Sequence, residues 1–287
     1  MNEGILTSCG GGSLTIVGTG IHVGHLTTEA RGWISHADVV LYCVADAATE
    51  RLICKLNPIS ESLYPYYDEN KVRSDTYEQM VERTLYYVRK GKNVCVAYYG
   101  HPGIFVNPAH RSLKIAREEG YKAIMLPAVS SIDCLFCDLG VDPSSGCQIL
   151  EATDLMLRQR YVDSASHVII MQVSALGELD YHFNGYDQKH LPSLGLFLSK
   201  TYSEDHKIKA YHAAQFPVVE STILDMKISD LKDTLTAGIS TIYIPPYRCL
   251  PVHLSMLEQY GLRHLLDDKE LLPLNTSDTG LLLTRED

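Results

Sequence analysis

The stretch YPYYDENKVRSDTYEQM, residues 64 to 80, gathers Tyr64, Tyr66, Tyr67 and Tyr77 around Arg73 at the point where a loop turns into a helix. A guanidinium carries a permanent charge on a fixed fork of donors, which suits it to an oxyanion that forms during a reaction. Tyr77 lies four residues beyond Arg73, in the first helical turn, so its phenol can act as a base if the cation lowers its pKa below about 10. The competing reading is that these rings are ordinary amphipathic residues, since the chain uses 18 tyrosines against 5 phenylalanines.

The elements that must hold this segment follow from apolar periodicity. SLTIVGTGIHVG is an apolar run entering a glycine turn, HLTTEARGWISHA has helical spacing, and DVVLYCVAD is a second strand. SDTYEQMVERTLYYVRKG puts Met80, Val81, Leu85 and Val88 on one helical face, with Asp75 and Glu78 as a capping box and Gly91 as the stop. NVCVAYYG, NPAHRSLKIAREEG, YKAIMLP and SSIDCLFCDLG then read as strand, helix, strand and helix. Such alternation predicts a mainly parallel sheet with helical crossovers. SHVIIMQV, KIKAYHAA and STIYIPP are further strands of a second α/β domain. The expected division is a disordered N-terminus over residues 1–12, an N-terminal α/β domain over 13–128, a C-terminal α/β domain over 129–246 and a helical tail over 247–287, with VHLSMLEQYGL as its helix.

Bulk properties narrow the function. The 287 residues carry a formal charge of −10, which argues against a broad basic surface and so against nucleic acid as a partner. The start MNEGILTSCGGG has no signal-peptide pattern and no run of apolar residues is long enough to span a bilayer, so a cytoplasmic protein without a membrane partner is expected. Eight cysteines are scattered, and Cys134 with Cys137 forms a lone C-x-x-C without companion ligands. Reduced core thiols and no metal are the expectation.

Two glycine turns are candidate ligand cradles. VGTGIHVG (Gly18, Gly20, Gly24) follows a strand, and Asp46 at the end of the next strand could hold a ribose, but the G-x-G-x-x-x-G spacing departs from the dinucleotide fingerprint. In YYGHPGIFVNP, Gly100 and Gly103 flank a proline at the carboxyl end of a strand, where open α/β sheets bind ligands.

The order of IVGTGIHVGHLTTEARGWISHADVVLY, a strand with G-x-P-G, MLPAVSSIDC and IYIPP resembles the tetrapyrrole (corrin and porphyrin) methylase superfamily. Within it, YGHPGIFVNPAHR, YYDENKVRSDTYEQM and CLFCDLGVDPSSGC are similar to the borosin peptide backbone α-N-methyltransferases. The resemblance implies a two-domain methyltransferase with S-adenosylmethionine in the interdomain cleft and S-adenosylhomocysteine as product. Matching motif positions imply cofactor contacts at Tyr99, His101, Ile104, Ser130, Ser131, Gln172, Ala213, Ser240 and Thr241. The chain departs from the family pattern at Ala128, where P-G-V/I-S is usual, and at Ile132, where an acid is usual.

The resemblance also gives the tyrosine segment a task. An amide nitrogen is a poor nucleophile because its lone pair is delocalised into the carbonyl. Methylating it requires charge on the oxygen to be stabilised and a proton to be accepted. Arg73 fits the first role and Tyr77 the second, with Tyr64, Tyr67 and Tyr99 lining the site. The implied substrate is a precursor peptide with a leader segment and an apolar core. The residues after Pro246 are too few for a clasp and a core peptide, so a separate precursor methylated in trans is expected, with Gly280–Leu283 as the lesser candidate for a self-substrate. A homodimer is implied by the family alone. The alternatives are a tetrapyrrole C-methyltransferase and a catalytically silent peptide-binding protein, with ribosomal RNA methylation and nicotinamide chemistry further off.

Overall fold

The computed structural model describes residues 11–233, 235 and 240–266; the expected N-terminal disorder falls largely, and the candidate self-substrate wholly, outside these residues. The described chain forms two compact units. The first holds the residues through Cys134 together with two returning segments, Leu179–Phe183 and Ala213–Glu220. The second holds Leu135–Glu178, Asn184–His212 and the described residues from Ser221 onward.

The first unit runs β1 (Ser13–Gly18), α1 (Thr28–His36), β2 (Val39–Cys43), α2 (Ala47–Leu56), β3 (Ser60–Ser62), α3 (Arg73–Arg89), β4 (Asn93–Tyr98), α4 (Asn107–Glu118) and β5 (Lys122–Met125). Its five strands lie in the order β3-β2-β4-β1-β5 and all pair in parallel. Side chains alternate across the sheet, as the pleat requires. Leu14, Ile16, Val94, Val96 and Tyr98 join Met80, Val81, Leu85 and Val88 of α3 in one core. Val17, Val40, Tyr42, Cys95 and Ala97 join Ala30 and Ile34 of α1 and Ile53 of α2 in another. Two covered faces explain why these strands read as unbroken apolar runs. Because β1 and β4 are neighbours whose connections leave in opposite directions, their carboxyl ends form a topological switch point.

The second unit contains β6 (Cys147–Glu151), α6 (Ala152–Arg158), β7 (His167–Met171), α7 (Leu191–Leu198), β8 (Lys207–His212), β9 (Thr222–Lys227), β10 (Thr241–Ile244) and α8 (Leu254–Tyr260); α5 (Ser131–Leu139) leads into it. The sheet order is β6-β7-β10-β8-β9, parallel at β6-β7 and antiparallel elsewhere. Val168, Ile170, Ile208, Ala210, Ile242 and Ile244 pack with Leu155 of α6 and Leu191, Leu194 and Leu198 of α7. The three strands expected here are the three central ones, β7, β8 and β10. The two outer strands escaped the sequence reading because neither buries a full side chain, so an apolar alternation never develops.

The start of α3 differs from the expectation. Its N-cap is Val72, no side chain caps it, and the Asp75–Glu78 capping box does not form. Glu78 instead pairs with Arg111 of α4. The helix stop is as read: Gly91 takes φ +79° and its amide donates to Val88 O.

Gly18 and Gly32 allow a test of this packing. A Cβ at Gly18 would run into the backbone carbonyl of Gly100 and the side chains of Ala128 and Pro102, whereas one at Gly32 in α1 meets open space. Gly18→Ala is expected to cost about 1–3 kcal/mol and Gly32→Ala to gain roughly 0.5–1 kcal/mol, both read from denaturant unfolding midpoints.

Candidate functional site

A 3₁₀ turn at Tyr64–Tyr66 follows β3 and opens the loop into α3. That loop is zipped to a segment far along the chain. Arg73 N–H donates to Leu179 O (3.0 Å), Asn70 N–H to Tyr181 O (2.9 Å) and Tyr181 N–H to Lys71 O (2.8 Å), while Val72 and Asp180 form an antiparallel bridge. The Glu69 carboxylate accepts from Phe183 N–H (2.8 Å) and meets His182 Nδ1 at 2.8 Å. Arg73 is held twice, because its Nε also donates to Leu179 O at 3.3 Å. The first turn of a helix exposes amides with no intrahelical partner. Here a carbonyl from the returning segment takes one of them.

The same segment brings more rings. Tyr181 lies 4.4 Å from Tyr67 between centroids, its hydroxyl is 3.1 Å from that of Tyr64, and Phe183 meets it edge-on at 5.1 Å. Tyr181 and Phe183 were not among the residues singled out from sequence. No local pattern marks them, since their role depends on a contact across more than a hundred residues of chain.

Arg73, Tyr67 and Tyr77 are brought together. Burial raises the Tyr77 pKa above the ordinary phenol value, against the Arg73 charge and a hydrogen bond donated by Tyr67, both of which lower it. The condition set for Tyr77 as a base, a pKa lowered below the usual value, is not met in the folded protein, because desolvation exceeds the cation's pull. Tyr67 is also raised, chiefly by burial and then by Cys43, Tyr77, Tyr181 and Tyr98. Tyr77 is the phenol of the pair with a cation to offset its burial.

Tyr98, which ends β4, and Tyr99, just beyond it, have different surroundings. Tyr98 points into the α3 core beside Tyr67, wholly buried, and its hydroxyl has no hydrogen-bond partner among the described residues. Tyr99 instead keeps company with Cys134 and Gln215, the latter hydrogen-bonding its phenol; burial, its largest influence, raises its pKa. Tyr99, expected to line the reacting site, thus has a different set of neighbours from Arg73. Beneath the cluster, burial pushes the Cys43 thiol up to about 11.

The cofactor candidates fall into two groups, one in each unit. In the first, His101 Nδ1 accepts from Gly103 N–H (3.0 Å), Ile104 N–H donates to His101 O (3.1 Å), and His110 Nε2 lies 2.9 Å from Gly103 O. Gly20 and Gly100 form a bridge across the switch point, with Gly100 at φ +69° and Phe105 at +55°. The His101 amide has no acceptor among the described residues. Ser131 opens α5 and Ala213 is buried at the head of the second returning segment. Ser130 is already engaged: its amide and hydroxyl donate to Asp133 Oδ2 (2.6 and 2.7 Å), and its Oγ accepts from Asp133 N–H (3.2 Å). In the second unit, Gln172 ends β7 in the left-handed conformation (φ 59°), a costly state for a residue with a side chain. Beside it, Val173 N–H donates to Ser240 O (3.0 Å), Ser174 Oγ to Ser240 Oγ (3.1 Å) and Thr241 Oγ1 to Met171 Sδ (3.6 Å).

In the first unit, the His101 amide and the switch-point turn fit a polar cofactor with donor and acceptor groups. The dinucleotide alternative fares worse. Asp46 Oδ1 caps α2 by accepting from Thr49 N–H (2.8 Å), and α1 begins only at Thr28, well after the Gly18–Gly20 turn. Among the described residues no cluster of three or more histidines, cysteines or acids could hold a metal, and seven cysteines are free. Cys95 is a core thiol as expected, but Cys54, Cys137 and Cys249 are at the surface. No described helix is long and apolar enough to cross a membrane.

The tetrapyrrole (corrin/porphyrin) methylase family matches residues 13–180. The chain is 46% identical over 245 residues to a methyltransferase/ribosomally synthesized type I borosin cyclic peptide precursor of Coprinopsis marcescibilis, covering 82% of this chain and 62% of that protein. It is 45% identical over 241 residues to the methyltransferase/ribosomally synthesized cyclic peptide omphalotin A precursor of Omphalotus olearius, covering 82% and 58%. The chain thus spans less than two thirds of the length of these relatives. A uroporphyrin-III C-methyltransferase from Thermus thermophilus, solved with S-adenosylhomocysteine, shares the fold at a TM-score of 0.53 and 14% identity, over 81% of this chain and 92% of that one.

Ser130 discriminates a structural role from a cofactor contact. Ser130→Ala is expected to lower stability by about 1 kcal/mol through loss of the α5 cap while changing S-adenosylhomocysteine affinity less than twofold, measured by thermal unfolding and calorimetry.

Proposed function

This chain belongs to the tetrapyrrole (corrin/porphyrin) methylase family, and from that membership we propose that it is an S-adenosylmethionine-dependent methyltransferase acting on backbone amide nitrogens of a peptide delivered on a separate chain. The observation that carries the reading is the juxtaposition of Arg73, Tyr67 and Tyr77, clasped by Leu179–Phe183. The names of the relatives, which join a methyltransferase to a peptide precursor, support a peptide as acceptor.

Bound S-adenosylmethionine supplies a methyl group activated for displacement from a sulfonium. The residues that the family resemblance implies for holding it are Tyr99, His101, Ile104, Ser131, Ala213, Gln172, Ser240 and Thr241. Ser130 contributes by capping α5. The rest falls to the tyrosine segment. Arg73, fixed through Nε on Leu179 O, supplies the positive charge that stabilises the amide oxygen as negative charge builds there. The amide proton passes to Tyr77 Oη, whose phenolate is favoured by the Arg73 charge and by the hydrogen bond from Tyr67. Tyr64, Tyr67 and Tyr181 wall the site and exclude water, which strengthens each of these interactions. The reading includes a homodimer, which the family implies; light scattering of the purified protein tests it.

Three arms test the reaction. The protein incubated with S-adenosylmethionine and a synthetic apolar peptide should add methyl masses to backbone nitrogens, located by fragmentation mass spectrometry. Arg73→Ala should lower the rate by about 10²–10³ and Tyr77→Phe by about 10²–10⁴, with cofactor affinity nearly unchanged. Full activity in both variants overturns the chemistry. Methylation of a uroporphyrinogen-type acceptor instead of peptide shifts the reading to the tetrapyrrole enzyme, and peptide binding without transfer to a silent binder.

The pH profile supplies an independent check. With its folded-state pKa raised by burial, Tyr77 is protonated at neutral pH, so log kcat/KM should climb with pH through neutrality and level only above about 10. Arg73→Gln removes the lowering influence and should move that inflection further upward.

A further inference from the structure

The second unit carries a cavity that the proposed chemistry does not use. It has a volume of about 740 Å³ and is walled by the start of β8, the end of β10 and the turn after α5. In the sheet it sits at the end opposite Gln172 and Thr241: β7 runs from His167 to Met171, and β10 antiparallel to it ends beside Val168. Its size is that of a small-molecule site, and apolar groups such as Leu139, Val141 and Pro246 share the wall with a few polar ones.

The polar groups are not internally satisfied. His167 forms part of the wall, yet it is 1% exposed, and its Nε2 has no hydrogen-bond partner among the described residues. Its Nδ1 lies 2.7 Å from Tyr243 Oη. Were Nδ1 the donor, the Tyr243 hydroxyl hydrogen would need a second acceptor and Nε2 would be a bare lone pair, leaving two groups unmet. With Tyr243 donating to Nδ1, a single donor, Nε2–H, is left over. Burial lowers the His167 pKa and raises that of Tyr243, so both stay neutral. An orphaned buried donor of this kind carries a desolvation penalty that an accepting ligand would relieve.

Charge at the rim specifies the acceptor further. Asp225 is paired with Lys209, and Asp205 with Lys227. Lys207, also on the wall, makes no ion pair among the described residues and senses Asp225 only at longer range. The cavity therefore offers one neutral imidazole donor and one unpaired ammonium. At its mouth the rings of His206 and Tyr247 lie 5.1 Å apart in an edge-on arrangement, a surface for a flat apolar body.

We propose that this cavity is a second ligand site, which binds a small organic carboxylate with a ring-sized apolar body, its oxygens accepting from His167 Nε2–H and Lys207 Nζ.

The probe is 2-naphthoate, with 2-naphthamide as its neutral counterpart, titrated into the whole protein by calorimetry while the His167 imidazole is followed by nitrogen NMR. Saturable binding of naphthoate with a shift of the Nε2 resonance is expected. Affinity should fall about tenfold or more in Lys207→Ala, in His167→Phe and for the amide against the wild type. Lys207 is a surface residue, so its variant keeps the test decisive if His167→Phe fails to fold. The proposal is overturned if naphthoate fails to saturate the wild-type protein, if Lys207→Ala binds it as tightly, or if the Nε2 resonance does not move.

Discussion

The first amides of a helix have no partner within it, and α3 takes an acceptor for one of them from Leu179, 106 residues further along the chain. That single constraint organises the candidate site. With no side-chain cap of its own, the opening of α3 is tied down by the returning segment, which lies along residues 69 to 73. The contact that supplies the acceptor also fixes the Arg73 guanidinium and brings Tyr181 onto Tyr67. Helix initiation, charge placement and the aromatic wall are consequences of one piece of backbone pairing.

The chemistry then depends on a balance between burial and charge. A phenol withdrawn from water resists ionisation, and Tyr67, Tyr98 and Tyr99 are all raised with burial as the leading cause. Tyr77 has the same penalty but also a cation and a donated hydrogen bond working against it. Under the proposed reaction, a Tyr77 protonated at rest avoids holding an anion in a partly dry site. In that proposal the cost is a higher operating pH for proton acceptance, and a substrate oxyanion on Arg73 would share the same positive charge.

The two units solve packing differently, and this separates their tasks. The first covers both faces of a parallel sheet with helices, so its backbone is left open to turn and bridge at the carboxyl ends of β1 and β4. The second packs the core of its mixed sheet under α6 and α7. On the other face, polar and aromatic side chains such as His167, Lys209 and Tyr243 are free to line a cavity.

Much of this was legible in the residues. Apolar runs bounded by glycine determined the parallel sheet, because strands buried on both faces need continuous Val, Ile and Leu, and Gly91 stopped α3 where a left-handed residue was required. The proximity of Arg73 and Tyr77 also followed from local spacing, since four residues make about one helical turn. What spacing cannot supply is anything made by distant chain. Tyr181, the Leu179 carbonyl, the choice of Tyr98 over Tyr99 as neighbour of Tyr67, and the engagement of Ser130 by Asp133 depend on which face a strand presents and which segment returns to it. The sign of the Tyr77 shift belongs to the same class: a nearby cation can be read from sequence, but desolvation is a property of everything packed around the ring, and only the folded chain has it.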